Sequence, residues 1–125
     1  FKNEKLISAQ NAVAIKIESN KEESNPNGYY DGSIGTFINE GTIKATGNAI
    51  AIEIERKMQN GYGGSIGTFI NETNGTISAE GQGAVSLAHA TITSYDNEGT
   101  IKGGNYVCFL WLSLAHSDIN ALLCI

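Results

Sequence analysis

The sequence predicts an all-β fold, a parallel β-helix or solenoid of about four short coils. Three observations carry this. The nine residues Gly32-Ser-Ile-Gly-Thr-Phe-Ile-Asn-Glu40 recur unchanged at Gly64 to Glu72, an offset of 32. Apolar residues alternate with polar ones in short segments, as in strands with one buried face. Glycine and asparagine punctuate these segments, and 15 of 125 residues are Gly, which implies many turns.

Each coil reads as three parts. The first is Ser-Ile-Gly-Thr-Phe-Ile-Asn, as at Ser33 to Asn39. The second is short. Asn39-Glu-Gly-Thr-Ile-Lys44 returns at Asn97 to Lys102, and Asn71-Glu-Thr-Asn-Gly-Thr-Ile77 is a variant with an inserted residue. The third alternates strictly. Asn11-Ala-Val-Ala-Ile-Lys-Ile-Glu18 matches Asn48-Ala-Ile-Ala-Ile-Glu-Ile-Glu55, and Gly83-Ala-Val-Ser-Leu-Ala88 is a weaker third copy. Ile50, Ile52 and Ile54 share one face and Ala51, Glu53 and Glu55 the other.

Near-identical strings favour a β-helix over a sandwich, because each strand can pair with its own copy one coil along. Like residues then form columns. The alignment predicts Val13/Ile50/Val85, Ile15/Ile52/Leu87 and Ile7/Ile43/Ile77/Ile101, with an amide ladder of Asn39, Asn71 and Asn97 at a bend. The isoleucines of the last column are spaced by 36, 34 and 24 residues, so coil length varies.

Residues 1–104 are expected to form the repeat region. Ser19 to Asp31 and Met58 to Gly64 are polar or Gly-rich and read as equivalent projecting loops. Residues 105–125 break the pattern and hold Trp111, Cys108, Cys124 and His116. Three readings of this irregular segment stand: a cap over the open end, an interface segment, or an extension beyond a frame shift near Lys102-Gly-Gly-Asn105.

Composition narrows the function classes. Net charge is −5 and Arg56 is the only arginine, which argues against nucleic-acid partners. The cysteines have no zinc-site spacing. The apolar run Tyr106 to Leu112 is too short for a membrane-spanning helix. Gly61 to Gly67 lacks the Lys-Ser/Thr of a phosphate loop. Neither a GxSxG nor a calcium-binding nonapeptide occurs, and no cofactor, metal or catalytic residue is expected.

Several residues stand out as candidates. Lys16, Glu18, Glu53 and Glu55 gather on one outer face, either as a carboxylate cluster for calcium or as a cross-rung charge pair in solvent. His89 aligns with Ile17 and Ile54 on the inner face, either as a catalytic base or, since the repeat places no serine, cysteine or carboxylate beside it, as a histidine at a strand end turned toward a loop. Thr42, Thr76 and Thr100 form an outward column. Asn71 and Asn74 fit the glycosylation pattern. Tyr29, Tyr30 and Tyr62 lie in the projecting loops and are the expected binding residues.

Asn-Glu-Gly-Thr-Ile followed by Gly-Asn-Ala-Ile-Ala-Ile resembles the rungs of autotransporter passenger domains of Gram-negative bacteria, and is similar to filamentous-haemagglutinin-like adhesins. The resemblance covers about residues 5 to 107 and implies a right-handed parallel β-helix, export across both membranes and cell-surface display. It points to a non-enzymatic, adhesin-like passenger associated with the outer membrane. The implied partners are a host-surface or glycan ligand, and neighbouring coils or a translocator barrel in a longer parent protein. The competing readings are a carbohydrate-active β-helix enzyme such as a polysaccharide lyase, and a truncated product without its own function.

Overall fold

The computed structural model describes residues 1–21, 29–30, 32–56, 65–88 and 90–104. The first coil contains β1 (Lys2–Asn3), β2 (Leu6–Gln10) and β3 (Ile15–Lys21), and β4 (Tyr29–Tyr30) follows it. The second holds β5 (Ser33–Asn39), β6 (Thr42–Thr46) and β7 (Ile52–Arg56). The third holds β8 (Ser65–Asn71), β9 (Thr76–Ala79) and β10 (Val85–Ala88), and the fourth begins with β11 (Thr91–Asn97) and β12 (Thr100–Lys102).

Strands of like sequence stack in parallel. One sheet runs β1-β5-β8-β11, a second β2-β6-β9-β12 and a third β10-β7-β3 with β4 on its edge. This is a parallel β-helix with three faces, and no helix occurs among the described residues. The identical strings pair residue on residue: Ile34 with Ile66, Phe37 with Phe69, Asn39 with Asn71. Ile7, Ile43, Ile77 and Ile101 form the expected column.

The core lies between the three sheets. Phe37, Ile43, Ile52, Ile54, Ile66, Phe69 and Ile77 are fully buried. Each such side chain stabilises the fold by roughly 1.5–3 kcal/mol relative to an exposed one. On the first face, period two breaks once per rung. The ladder skips Gly35 and Gly67, and Gly35 and Thr36 are both exposed. Ile34 and Phe37, three residues apart, therefore both reach the core. The same skip falls at Thr93.

The third face corrects the alignment. Val85 pairs with Ile52, and Leu87 with Ile54. The columns are thus Ile15/Ile52/Val85 and Ile17/Ile54/Leu87. Val85 does not sit on Val13 and Ile50, because pairing on this face starts at Ile15 and Ile52. Leu87, not His89, takes the place beside Ile17 and Ile54. His89 itself lies outside the described residues.

Corner lengths explain the slip. Gln10 pairs with Thr46, so Asn11 occupies the position of Gly47, not of Asn48. Both take positive φ, 56° and 74°, which glycine and asparagine tolerate best. From there the first coil reaches Ile15 in four residues, whereas the second takes five to reach Ile52. The third coil again takes four, from Gly81 to Val85. The insertion before Gly75 is two residues, Thr73 and Asn74, not one.

Insertions between the third and first faces vary most. β10 and β11 are separated by two residues, whereas 11 residues, 22 to 32, separate β3 from β5. Part of the expected loop at Ser19 to Asp31 is strand. Asn20 and Lys21 pair antiparallel with Tyr30 and Tyr29, so the chain leaves the first coil as a hairpin stem. The loop Met58 to Gly64 and the segment 105–125 lie outside the described residues.

Candidate functional site

The Asn ladder is longer than the sequence motif suggests. Asn3 Nδ2 donates to Asn39 Oδ1 at 2.8 Å, Asn39 to Asn71 at 2.7 Å, and Asn71 to Asn97 at 2.7 Å. Each of the three donors also reaches a carbonyl of its own corner: Lys5 at 3.0 Å, Gly41 at 3.1 Å and Gly75 at 3.2 Å. Asn39 and Asn71 are fully buried. Buried amides need such partners, and the ladder supplies them at every rung.

Asn3 went unrecognised because its corner reads Asn-Glu-Lys-Leu-Ile where the others carry Gly-Thr-Ile. Beside the ladder runs an aromatic column, Phe1, Phe37, Phe69 and Tyr95. Its ring centroids are 4.7, 4.9 and 5.4 Å apart, with interplanar angles of 23°, 2° and 13°. The repeated Phe was its only sequence signal, since Phe1 and Tyr95 lie outside the identical strings. Burial, with the charge of Asp96 adding, raises the Tyr95 phenol to about 12.

On the third face the four charged candidates meet. Lys16 Nζ lies 3.2 Å from Glu18, 3.4 Å from Glu53 and 3.2 Å from Glu55. Hydrogen bonds to Glu18 and then Glu55 hold its ammonium well above the usual lysine range. The carboxylates that calcium would require share a lysine, and among the described residues no cluster of metal-ligating side chains occurs. Lys2 bridges Glu4 at 2.7 Å and Glu40 at 3.0 Å across the first two rungs. Lys44 pairs with Glu80 at 3.2 Å. Lys44 and the Gly47 amide hold the Glu80 carboxyl below its ordinary value. These pairs are half-exposed, and such pairs contribute little each.

Thr42, Thr76 and Thr100 stand in register as a single column. Asn71 is fully buried and closed to glycosylation, whereas Asn74 sits on an exposed turn. Tyr29 and Tyr30 form β4, and Tyr62 lies outside the described residues. No protein-family model, curated protein or solved structure matches this chain. Its own geometry is a stack of parallel rungs with paired charges outside and an antiparallel strand pair at one corner.

Proposed function

We propose that the chain is a non-enzymatic passenger segment, adhesin-like, secreted and held at the bacterial outer surface. One observation carries the reading: the pair Tyr29–Tyr30 is held on a hairpin stem built from the end of β3, where the chain leaves the solenoid. A rigid stack bearing variable loops at one corner suits recognition, because loops change without disturbing the scaffold. The Lys16-centred charge cluster supports a binding or structural surface over a catalytic one. Neighbouring coils or a translocator barrel in a longer parent would supply the surface anchor.

The test is binding to host cells and to an immobilised glycan panel. Alanine at Tyr29, Tyr30 and Tyr62 together is expected to reduce binding at least tenfold. Undiminished binding overturns the reading. Cleavage of a polyuronate, lost on adding chelator, favours the lyase alternative instead.

A further inference from the structure

The corner between the first and second faces is closed by like bonds on successive rungs, and on the third rung it carries two extra residues. Asn39-Glu-Gly-Thr-Ile43 and Asn97-Glu-Gly-Thr-Ile101 run straight through, whereas Asn71-Glu-Thr-Asn-Gly-Thr-Ile77 holds Thr73 and Asn74 as well. The stack does not open to take them. Glu72 N still donates to Asn39 O at 2.9 Å, and Thr76 N to Gly41 O at 2.8 Å. Asn71 Nδ2 still reaches Gly75 O at 3.2 Å. The extra pair is therefore looped outward as a turn, closed by Gly75 N donating to Glu72 O at 2.7 Å. The Thr73 hydroxyl fastens one side of it to Glu98 at 3.0 Å. Asn74 is left exposed, and among the described residues its carboxamide has no hydrogen-bond partner.

The insertion changes the chemistry of the corner. In the uninterrupted corners a glutamate stands two residues before the threonine; here an asparagine does, in Asn74-Gly75-Thr76. Asn-x-Ser/Thr is the acceptor pattern for sugar transfer to a side-chain amide. Asn71 and Asn74 are the two asparagines that meet it, and Asn71 is fully buried with its amide committed to the ladder. Thr76 opens β9 with its side chain half-buried on the outer side.

The fold also keeps Asn74 intact. An Asn-Gly pair can react with itself: the glycine nitrogen attacks the side-chain carbonyl carbon, a C–N bond forms and ammonia leaves. Here that N–H is held by Glu72 O. Gly75 is also wedged between rungs, where an added Cβ would meet Asn71 Oδ1 and Asn39 O.

We infer that Asn74 is a carbohydrate acceptor, modified by a transferase that uses a diphosphate-activated sugar. The bond between the anomeric carbon and the diphosphate breaks, and a bond from that carbon to Asn74 Nδ2 forms. Nδ2 gives up one proton and the diphosphate leaves. Thr76 supplies the hydroxyl that the acceptor pattern requires. The sugar stands on a different corner from Tyr29–Tyr30, so its attachment and the proposed binding succeed or fail separately.

The folded full chain, incubated with a soluble asparagine glycosyltransferase and UDP-glucose, tests this by intact mass and peptide mapping. One hexose per chain is expected, on the peptide that contains Asn74, and Thr76→Ser is expected to keep it. Asn74→Gln and Thr76→Ala, each with an unchanged circular dichroism spectrum, are expected to cut incorporation at least tenfold. A folded wild-type chain that stays unmodified overturns the inference. So does hexose at Asn71, or incorporation that survives Asn74→Gln. In mild alkali, deamidation of Asn74 is expected to be at least tenfold slower in the folded chain than in the urea-unfolded chain; equal rates overturn the inference.

Discussion

Asn71 is held by three ladder and corner bonds, to Asn39, Asn97 and Gly75, whereas Asn3 has only one ladder neighbour. Removing Asn71 takes an acceptor from the buried Asn39 amide, which keeps Gly41, and a donor from Asn97 and Gly75, at about 1–3 kcal/mol for each buried group left short of a partner. Asn71→Ala is therefore expected to lower the urea midpoint well below that of Asn3→Ala, whose cost stays near ~1 kcal/mol. Equal losses would mean the ladder contributes little. Tyr95 adds a pH dependence. Its phenol titrates at 10.0 when unfolded and at about 12 when folded. The folded state holds the proton longer, so stability falls as pH rises between those values. Lys2 and Lys16, also raised, act in the same direction, so the comparison with Tyr95→Phe isolates the phenol. Melting temperatures are expected to fall less in Tyr95→Phe as pH rises from about 9 to about 12. Parallel curves would remove the assignment.

At the scale of strands, the Ile column and the ladder members Asn39, Asn71 and Asn97 were legible because identical strings leave one way to stack. The third face was legible in parity from Ile52 onward but not in register, and Ala51, expected on the outer face, is fully buried. A slip of two residues keeps Val85 and Leu87 facing inward, so alternation cannot distinguish the two registers. The deciding quantity is corner length, and the corner has little pattern of its own. For the same reason Asn3 was missed: Lys5 and Leu6 replace the Gly-Thr that marked the other rungs. The kink at Gly35 was hidden because a string repeated whole reveals its pairing, not its parity break. Of the candidate site, the charge cluster followed from alternation, whereas the Tyr29–Tyr30 strand sits in a segment with no repeat to read. Corner insertions should be tolerated where ladder bonds bypass them. Deleting Thr73 and Asn74 restores the Asn-Glu-Gly-Thr-Ile corner and is expected to change stability by less than about 1 kcal/mol. Deleting Ser78 alone, inside β9, turns Ala79 outward and is expected to abolish cooperative unfolding of the third coil. Urea denaturation followed by circular dichroism separates the two, and equal tolerance of both deletions would contradict the register.

Across the molecule, stability accumulates rung by rung. Each coil contributes an inner Ile, an aromatic ring and an amide to columns that pass through the whole stack, and contacts are made chiefly between neighbouring rungs. The outer surface is thereby freed for loops and charges, which is why architecture is written more plainly in this sequence than activity. The central claim is that Asn39 lies on Asn71, and Phe37 on Phe69, 32 residues away. Nuclear Overhauser contacts measure this directly. Cross-peaks between the side-chain amides of Asn39 and Asn71, between the rings of Phe37 and Phe69, and between the methyls of Ile43 and Ile77 are the predicted result. A well-folded spectrum in which these pairs show no cross-peaks would contradict the stacked-rung account.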